Sequence, residues 1–321
     1  MSAVRQARIR ALAKINLALH VLGRRPDGYH ELRTIYQTIS LADSLEFEYR
    51  PSRSTRIEVD CEPPIPDNLV VRAAEAVMEA AHIRGSVGIR LRKCIPAGAG
   101  LGGGSSDAAA VLLTLPVLAG RTLSLQELSG LAAQLGSDVP FFLLGGTALG
   151  VGRGEEVYPL PDLGRLYCVV VVPELKISTA EAYRSLREKL TPERRPFIIR
   201  DFQSAAWAAA MGAPPGDKGS SVGNDFEVLV FERFPELKSL KKRIERLHPV
   251  RVGLTGSGSG LFGLFRSRAE WEEASEQFGR VCRVFTERLV SRAEYWSWWR
   301  RWLAPHIGDR QSWPPRSRYA Q

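Results

Sequence analysis

Pro96-Ala-Gly-Ala-Gly-Leu-Gly-Gly-Gly-Ser-Ser-Asp107 sets five glycines and two hydroxyls directly before an Ala- and Leu-rich stretch, residues 108–115. Glycine lets backbone N–H groups approach a bound group with no Cβ in between. The helix predicted over 108–115 adds unpaired N–H donors and the positive end of its dipole. The run is therefore a candidate polyanion site, with a nucleotide phosphate as its natural occupant. Gly98-x-Gly100-x-x-Gly103 also matches the dinucleotide fingerprint letter for letter. Three features oppose that reading. Ile89-Arg-Leu-Arg92 alternates, whereas the strand before a dinucleotide loop is buried on both faces. Pro96 stands between strand and glycines. No acidic residue closes a second strand about 20 positions on. The Walker signature is absent too, since no Gly-Lys-Ser/Thr follows. A plain structural turn needs one or two glycines, not five flanked by paired serines.

Upstream, residues 9–19 alternate as a half-buried strand that presents Lys14 and Asn16 side by side. Arg24-Arg-Pro-Asp-Gly28 has turn chemistry and delivers Tyr29 and His30 just beyond its tip. Residues 32–41 and 44–49 read as two strands, 68–81 as a helix, and 87–91 as the strand entering the glycine run. Pro116 is expected to kink or end the helix after that run. Ser124-Leu-Gln-Glu127 is a capping box whose helix closes at Gly136. Asp138 follows, two residues before Pro140, where it also reads as a helix N-cap. A glycine-rich hairpin spans 145–154. The apolar run 166–172 reads as a central strand opening a second domain near residue 165. Helices are expected over 178–189, 224–230, 235–247 and 271–277, and a loop over 213–223. Strands are expected over 250–254, 261–265 and 281–285, the first two flanking Thr255-Gly-Ser-Gly-Ser-Gly260. Without a strict βαβ repeat, the class is α+β.

The 321 residues suffice for two domains; 44% are hydrophobic and 25% charged, as in ordinary globular chains. The net charge of +9 is compatible with plain solubility or with an anionic ligand. Seven arginines against three acids fall in residues 286–321, so the rest is only mildly basic. Basic and aromatic residues do not interleave on a strand, so no nucleic-acid partner is expected. No window reaches ~18 uncharged apolar residues, and the first residues lack an apolar leader, so a cytoplasmic protein is expected. Four scattered cysteines indicate reduced thiols, and with five unclustered histidines no protein-bound metal is expected.

Three segments together resemble the GHMP kinase superfamily: Ala13-Lys-Ile-Asn-Leu17, Pro96 to Asp107, and Leu254-Thr-Gly-Ser-Gly-Ser-Gly260. Arg25-Pro-Asp-Gly-Tyr-His30, Gly136-Ser-Asp-Val-Pro-Phe-Phe142 and Asn224-Asp-Phe-Glu227 are similar to its branch acting on a cytidyl-diphosphate sugar alcohol. The resemblance covers roughly residues 8–286. It implies a two-domain α+β GHMP fold. Residues 1–165 would form a ribosomal-protein-like α/β sandwich that binds ATP, and residues 166–286 a ferredoxin-like domain. Residues 287–321 would be a Trp/Arg-rich tail beyond the family's usual end. That tail reads as a helix packing its tryptophans on its own domain, followed by a disordered end. The alternative is a membrane-surface or subunit-contact helix.

The implied activity is transfer of the γ-phosphoryl of ATP, carried with Mg²⁺, onto the 2-hydroxyl of 4-diphosphocytidyl-2-C-methyl-D-erythritol. The resemblance makes Asp138 the base and Lys14 its cationic neighbour. Pro96, Ala97, Gly98, Ala99, Gly100, Leu101, Gly102, Gly103, Gly104, Ser105 and Ser106 would cradle the triphosphate, with Ser105 and Ser106 donating hydroxyls. Asn68 would lie near the adenine. Tyr29 and His30 would recognise cytosine, with Tyr183 as the second aromatic. Asn16, Thr255, Gly256, Ser257 and Gly258 would meet the rest of the substrate. Two alternatives stay open: a GHMP kinase for homoserine or mevalonate, and a non-catalytic nucleotide-binding regulator.

Overall fold

A computed structural model describes residues 4–175, 177, 178, 181, 182, 184, 223–279, 282–307 and 313–315. Tyr183, most of the helix expected over 178–189 and nearly all of the loop expected over 213–223 lie outside the described residues.

Two long strands frame the molecule: β1 (Arg5–Arg24) and β2 (His30–Pro51), antiparallel around the expected turn. Gly28 takes φ +87° there, and Arg25 N donates to Tyr29 O at 2.8 Å. The two strands expected over 32–41 and 44–49 are one. Asp43, a polar residue in the middle, does not interrupt the ladder because Cys94 N and Ile95 N donate to its carboxylate. The other edge of β2 is shared: β4 (Gly85–Arg92) pairs with residues 44–51 and β5 (Thr147–Gly152) with residues 32–37. β3 (Arg56–Cys61) and β6 (Glu156–Pro159) complete six strands. Four helices belong to this half: α1 (Leu69–Ala80), α2 (Gly103–Ala119), α3 (Leu125–Leu135) and the single turn α4 (Val139–Phe142). The capping box at Ser124 forms as expected.

α2 does not stop at Pro116. It continues to Ala119 and ends at Gly120, which takes φ +66°. Every α2 residue from Ser106 to Leu118 is buried, so packing on all sides outweighs the one backbone N–H that proline lacks.

The second sheet, β10-β7-β9-β8, is antiparallel: β7 (Tyr167–Val172), β8 (Arg251–Leu254), β9 (Leu261–Phe265) and β10 (Arg283–Arg288). α5 (Phe226–Arg233), α6 (Pro235–Glu245) and α7 (Arg268–Phe278) bury Phe226, Leu237 and Phe278 in this half's core. Between the sheets lies a third apolar cluster, where Ala13, Ile15 and Leu17 of β1 join Val170, Phe262 and Leu264. β1 thus belongs to both halves.

The tail forms α8 (Arg292–Leu303), capped by Ser291. It packs its apolar face as expected, but on the first half of the chain rather than on the sheet it follows. Tyr295, Trp299, Leu303 and Trp313 are buried in the core built by β1, β2 and α1–α4. No helix among the described residues is long and apolar enough to cross a membrane.

Candidate active site

Three glycines of the first run, Gly98, Gly100 and Gly102, take φ between +70° and +74°. These are left-handed conformations that a side chain disfavours by roughly 1–2 kcal/mol each. The residues between them anchor the loop: Ala99 and Leu101 are buried in the inter-sheet core. Leu101 O accepts from Lys14 N at 3.0 Å, and Ala99 O from Gly260 N at 3.3 Å. Gly102 occupies the N-cap of α2, so the loop runs directly into the helix's free N–H groups. A Cβ on Gly98 would meet nothing within 4 Å, which leaves that side of the loop open.

The second glycine turn packs behind the first, as expected. A Cβ on Gly100 would lie 2.0 Å from Thr255 O, and one on Gly256 would lie 3.0 Å from Gly100 Cα. Thr255 is fully buried and donates its hydroxyl to Gly100 O at 2.9 Å. Asn16 joins the same seam. Its Oδ1 accepts from Gly256 N at 2.8 Å and from Lys14 Nζ at 2.6 Å, while its Nδ2 donates to Thr34 Oγ1 at 2.7 Å. Asn224 holds the turn from the far side, donating to Leu254 O and Gly256 O. Asn16 and Thr255 were expected to touch substrate; both are buried and hydrogen-bonded to protein, where they hold the two loops together, and of the two Asn16 lines the cleft.

Register shifts in the β1–β2 ladder fall on either side of the Lys14–Asn16 segment, between Leu12 and Lys14 and between Asn16 and Ala18. Bulges re-aim side chains. Here Lys14 is buried and its ammonium reaches Asp138 Oδ2 at 3.3 Å. Asp138 precedes α4 but makes no cap hydrogen bond; its carboxylate turns to Lys14 and to Tyr36, whose hydroxyl donates to Oδ1 at 2.9 Å. The N-cap reading of Asp138 is thereby replaced by an ion pair at a cleft.

That cleft has a volume of about 790 Å³. Lys14, Asp138, Gly100, Gly102, Ser105, Gly256, Ser257, Tyr29 and His30 all line it. Tyr29 is half exposed at the rim, with the Arg153 guanidinium 4.7 Å from its ring centre, and His30 is buried beside it. Ser106 and Asn68 are not among the lining residues. Ser106 is buried and gives its hydroxyl proton to Leu12 O at 2.7 Å, so that proton is not directed to a phosphate. Asn68 caps α1, accepting from Val70 N at 3.0 Å. Sequence reasoning missed Tyr36, Thr34 and Arg153. Tyr36 pairs across the ladder with Asn16, a long-range register that local periodicity does not reveal.

Beneath the glycine run, Lys93 bridges two buried carboxylates, Asp43 and Asp107, the latter at 2.7 Å. Burial alone would lower the Lys93 value, but the two carboxylates raise it. Burial pushes the Asp107 carboxyl up to about 7, against the pull of Lys93 and with the help of Asp43.

The model of the GHMP kinases N terminal domain matches residues 68–146, and that of the GHMP kinases C terminal domain residues 215–284. A curated relative from Solibacter usitatus, named 4-diphosphocytidyl-2-C-methyl-D-erythritol kinase, is 51% identical over 99% of both chains. The chain belongs to the GHMP kinase family. A family member of the same name from Pelotomaculum thermopropionicum is 42% identical, covering 88% of this chain and 96% of its own. A crystal structure titled 4-(cytidine 5'-diphospho)-2C-methyl-D-erythritol kinase superposes with a TM-score of 0.74 at 39% identity, covering 88% of this chain and 98% of its own. Homoserine kinase from Cytophaga hutchinsonii shares the fold at 17% identity and a TM-score of 0.64, covering 91% of this chain and 96% of its own. The chain is thus a two-domain α+β kinase that uses ATP on a small molecule.

Proposed function

We propose that this kinase transfers the γ-phosphoryl of ATP to the 2-hydroxyl of 4-diphosphocytidyl-2-C-methyl-D-erythritol, giving the 2-phosphate and ADP in non-mevalonate isoprenoid synthesis. The observation that carries the reading is the Lys14–Asp138 pair, set in one cleft with the glycine loop on one side and Tyr29 and His30 on the other. The named relatives support the same substrate.

Phosphoryl transfer demands positioning and charge neutralisation more than covalent chemistry. The left-handed glycines and the α2 N-terminus turn N–H groups toward the triphosphate, and Gly98 leaves room for it. Asp138 accepts the proton of the attacking hydroxyl as the new P–O bond forms and ADP departs. Lys14 keeps positive charge beside that carboxylate and the incipient alkoxide. Mg²⁺ carried with the nucleotide would offset phosphate charge, and Ser105 and Asp138 would be the oxygen donors on the cleft wall able to hold it. Tyr29 offers a π-face to the cytosine, and the Arg153 guanidinium, also on the cleft wall, stands 4.7 Å from the centre of that ring. Ser257 and the Gly256 backbone stand where the substrate diphosphate would pass. Residues 1–165 form the ATP-binding domain and 166–286 the second domain, with α8 of the 287–321 tail packing on the first. The free thiols of Cys61, Cys94, Cys168 and Cys282 accord with a reducing cytoplasm.

An ADP-release assay with the cytidyl substrate, run beside mevalonate and homoserine, tests the reading. Turnover of the cytidyl compound alone is the expected result. Preference for either of the others, or ATP binding without transfer to any, would overturn it.

A further inference from the structure

α8 lies beyond residue 284, where the matched C-terminal family model ends, yet it makes direct contact with the turn that carries Asp138. Tyr295 is buried, and its hydroxyl donates to Phe142 O at 2.6 Å. Burial pushes that phenol above its ordinary range, so it remains a donor throughout the working pH range. Its ring presses on Gly145, where a Cβ would stand 2.5 Å from Tyr295 Cδ1. Phe142 closes α4, and Asp138 sits at the opposite end of that single turn. The turn also carries Phe141, whose ring stacks 4.8 Å from Tyr36, the donor to Asp138. α8 itself is fixed on the first half. Val290 N donates to Thr38 O at 3.0 Å, Arg292 N to Asp162 Oδ2 at 2.8 Å, and His306 Nε2 meets Gln6 O at 2.7 Å.

We infer that Tyr295 is a positioning residue for phosphoryl transfer: by holding the Phe142 carbonyl, the C-terminal helix fixes α4 and so sets the Asp138 carboxylate against Lys14. A four-residue helix has too few internal hydrogen bonds to hold its own place. A base displaced by a fraction of an ångström loses rate without loss of ground-state binding. Tyr295 touches neither substrate, so its effect is confined to kcat. This inference rests on the assignment of Asp138 as the base.

The test compares Tyr295→Phe, Tyr295→4-aminophenylalanine and Leu303→Ala in the full chain, assayed well below the melting temperature of each. Tyr295→Phe keeps the ring on Gly145 and removes only the donor. Its kcat is expected to fall about tenfold, with KM for ATP and for the cytidyl substrate within twofold of the parent. The 4-amino group restores a donor and is expected to recover at least half of the lost rate. Leu303→Ala removes buried apolar volume from α8 away from α4, so it lowers the melting temperature and leaves kcat within twofold. A Tyr295→Phe enzyme that keeps more than half of the parent kcat would overturn the inference. So would a Leu303→Ala enzyme that loses as much rate. If the unaltered protein does not phosphorylate the cytidyl substrate, the proposed function fails instead, and the two failures are distinct.

Discussion

Lys14 Nζ stands 3.3 Å from Asp138 Oδ2 and 2.6 Å from Asn16 Oδ1, so one buried ammonium joins the turn carrying Asp138 to the strand whose side chains enter the core between the sheets. Among the described residues the carboxylate's partners are Lys14 and the Tyr36 hydroxyl, and about a third of its side chain remains exposed. Such a group is held in place yet open to a substrate hydroxyl.

Asp138→Asn keeps the shape and removes the proton acceptor. Its kcat is expected to fall by roughly 10²–10⁴, the usual contribution of a general base, while ATP affinity measured by calorimetry stays within a few-fold. Turnover within tenfold of the parent would remove Asp138 from the chemistry.

Tyr29→Leu removes the aromatic face at the rim. KM for the cytidyl substrate is expected to rise about five- to tenfold, in line with the ~0.5–1.5 kcal/mol of aromatic stacking. KM for ATP is expected to stay unchanged. A parallel rise in both constants would mean that Tyr29 supports the cleft rather than the base.

Two alanine substitutions in one loop separate backbone strain from overlap. Gly98→Ala has open space and meets only the left-handed penalty of roughly 1–2 kcal/mol. Gly100→Ala adds a Cβ 2.0 Å from Thr255 O, so the two glycine turns must part. Thermal unfolding should show the larger loss at Gly100, together with a higher KM for ATP. Equal losses would mean that the contact between the turns relaxes freely.

Asp107 gives the protein a pH-dependent stability. Its folded-state value, pushed up to about 7 by burial, lies above the ~3.9 of an unfolded chain, so the folded form binds the proton more tightly. Its contribution is complete below about pH 4 and is lost as pH rises through about 7. The melting temperature of the parent relative to Asp107→Asn is therefore expected to decline between pH 5 and 8 at fixed ionic strength. A constant difference across that range would contradict the assignment.

Trp299 is 1% exposed in the core that α8 helps to fill. Trp299→Ala is expected to destabilise by about 3–5 kcal/mol. Denaturant unfolding would measure it; a loss below about 1 kcal/mol would place α8 outside the folding core.

The parts of the site that local sequence reveals are those whose chemistry is local. Alternation brought Lys14 and Asn16 onto one face, and the glycine spacing marked both turns. Tyr36 escaped because its role depends on the ladder that sets it opposite Asn16. The partner of the Ser106 hydroxyl was missed for a related reason: nothing nearby in sequence shows that Leu12 O would engage it, nor that Gly256 N and Thr34 Oγ1 would engage Asn16. The break expected between residues 41 and 44 vanished because the polar Asp43 finds its partners some fifty residues on. The concentration of tryptophans and arginines marked α8 as a helix; only the folded chain shows which half it covers.

Because Tyr295, Trp299, Leu303 and Trp313 complete a core begun by Ala7 and Ile9, the earlier-made half of the fold is unfinished until residues 295–313 have been synthesised. Domains ordinarily mature in order of synthesis. Here the opening half must wait on the ribosome with an apolar gap on its flank, and a premature stop after β10 would leave that gap permanently unfilled.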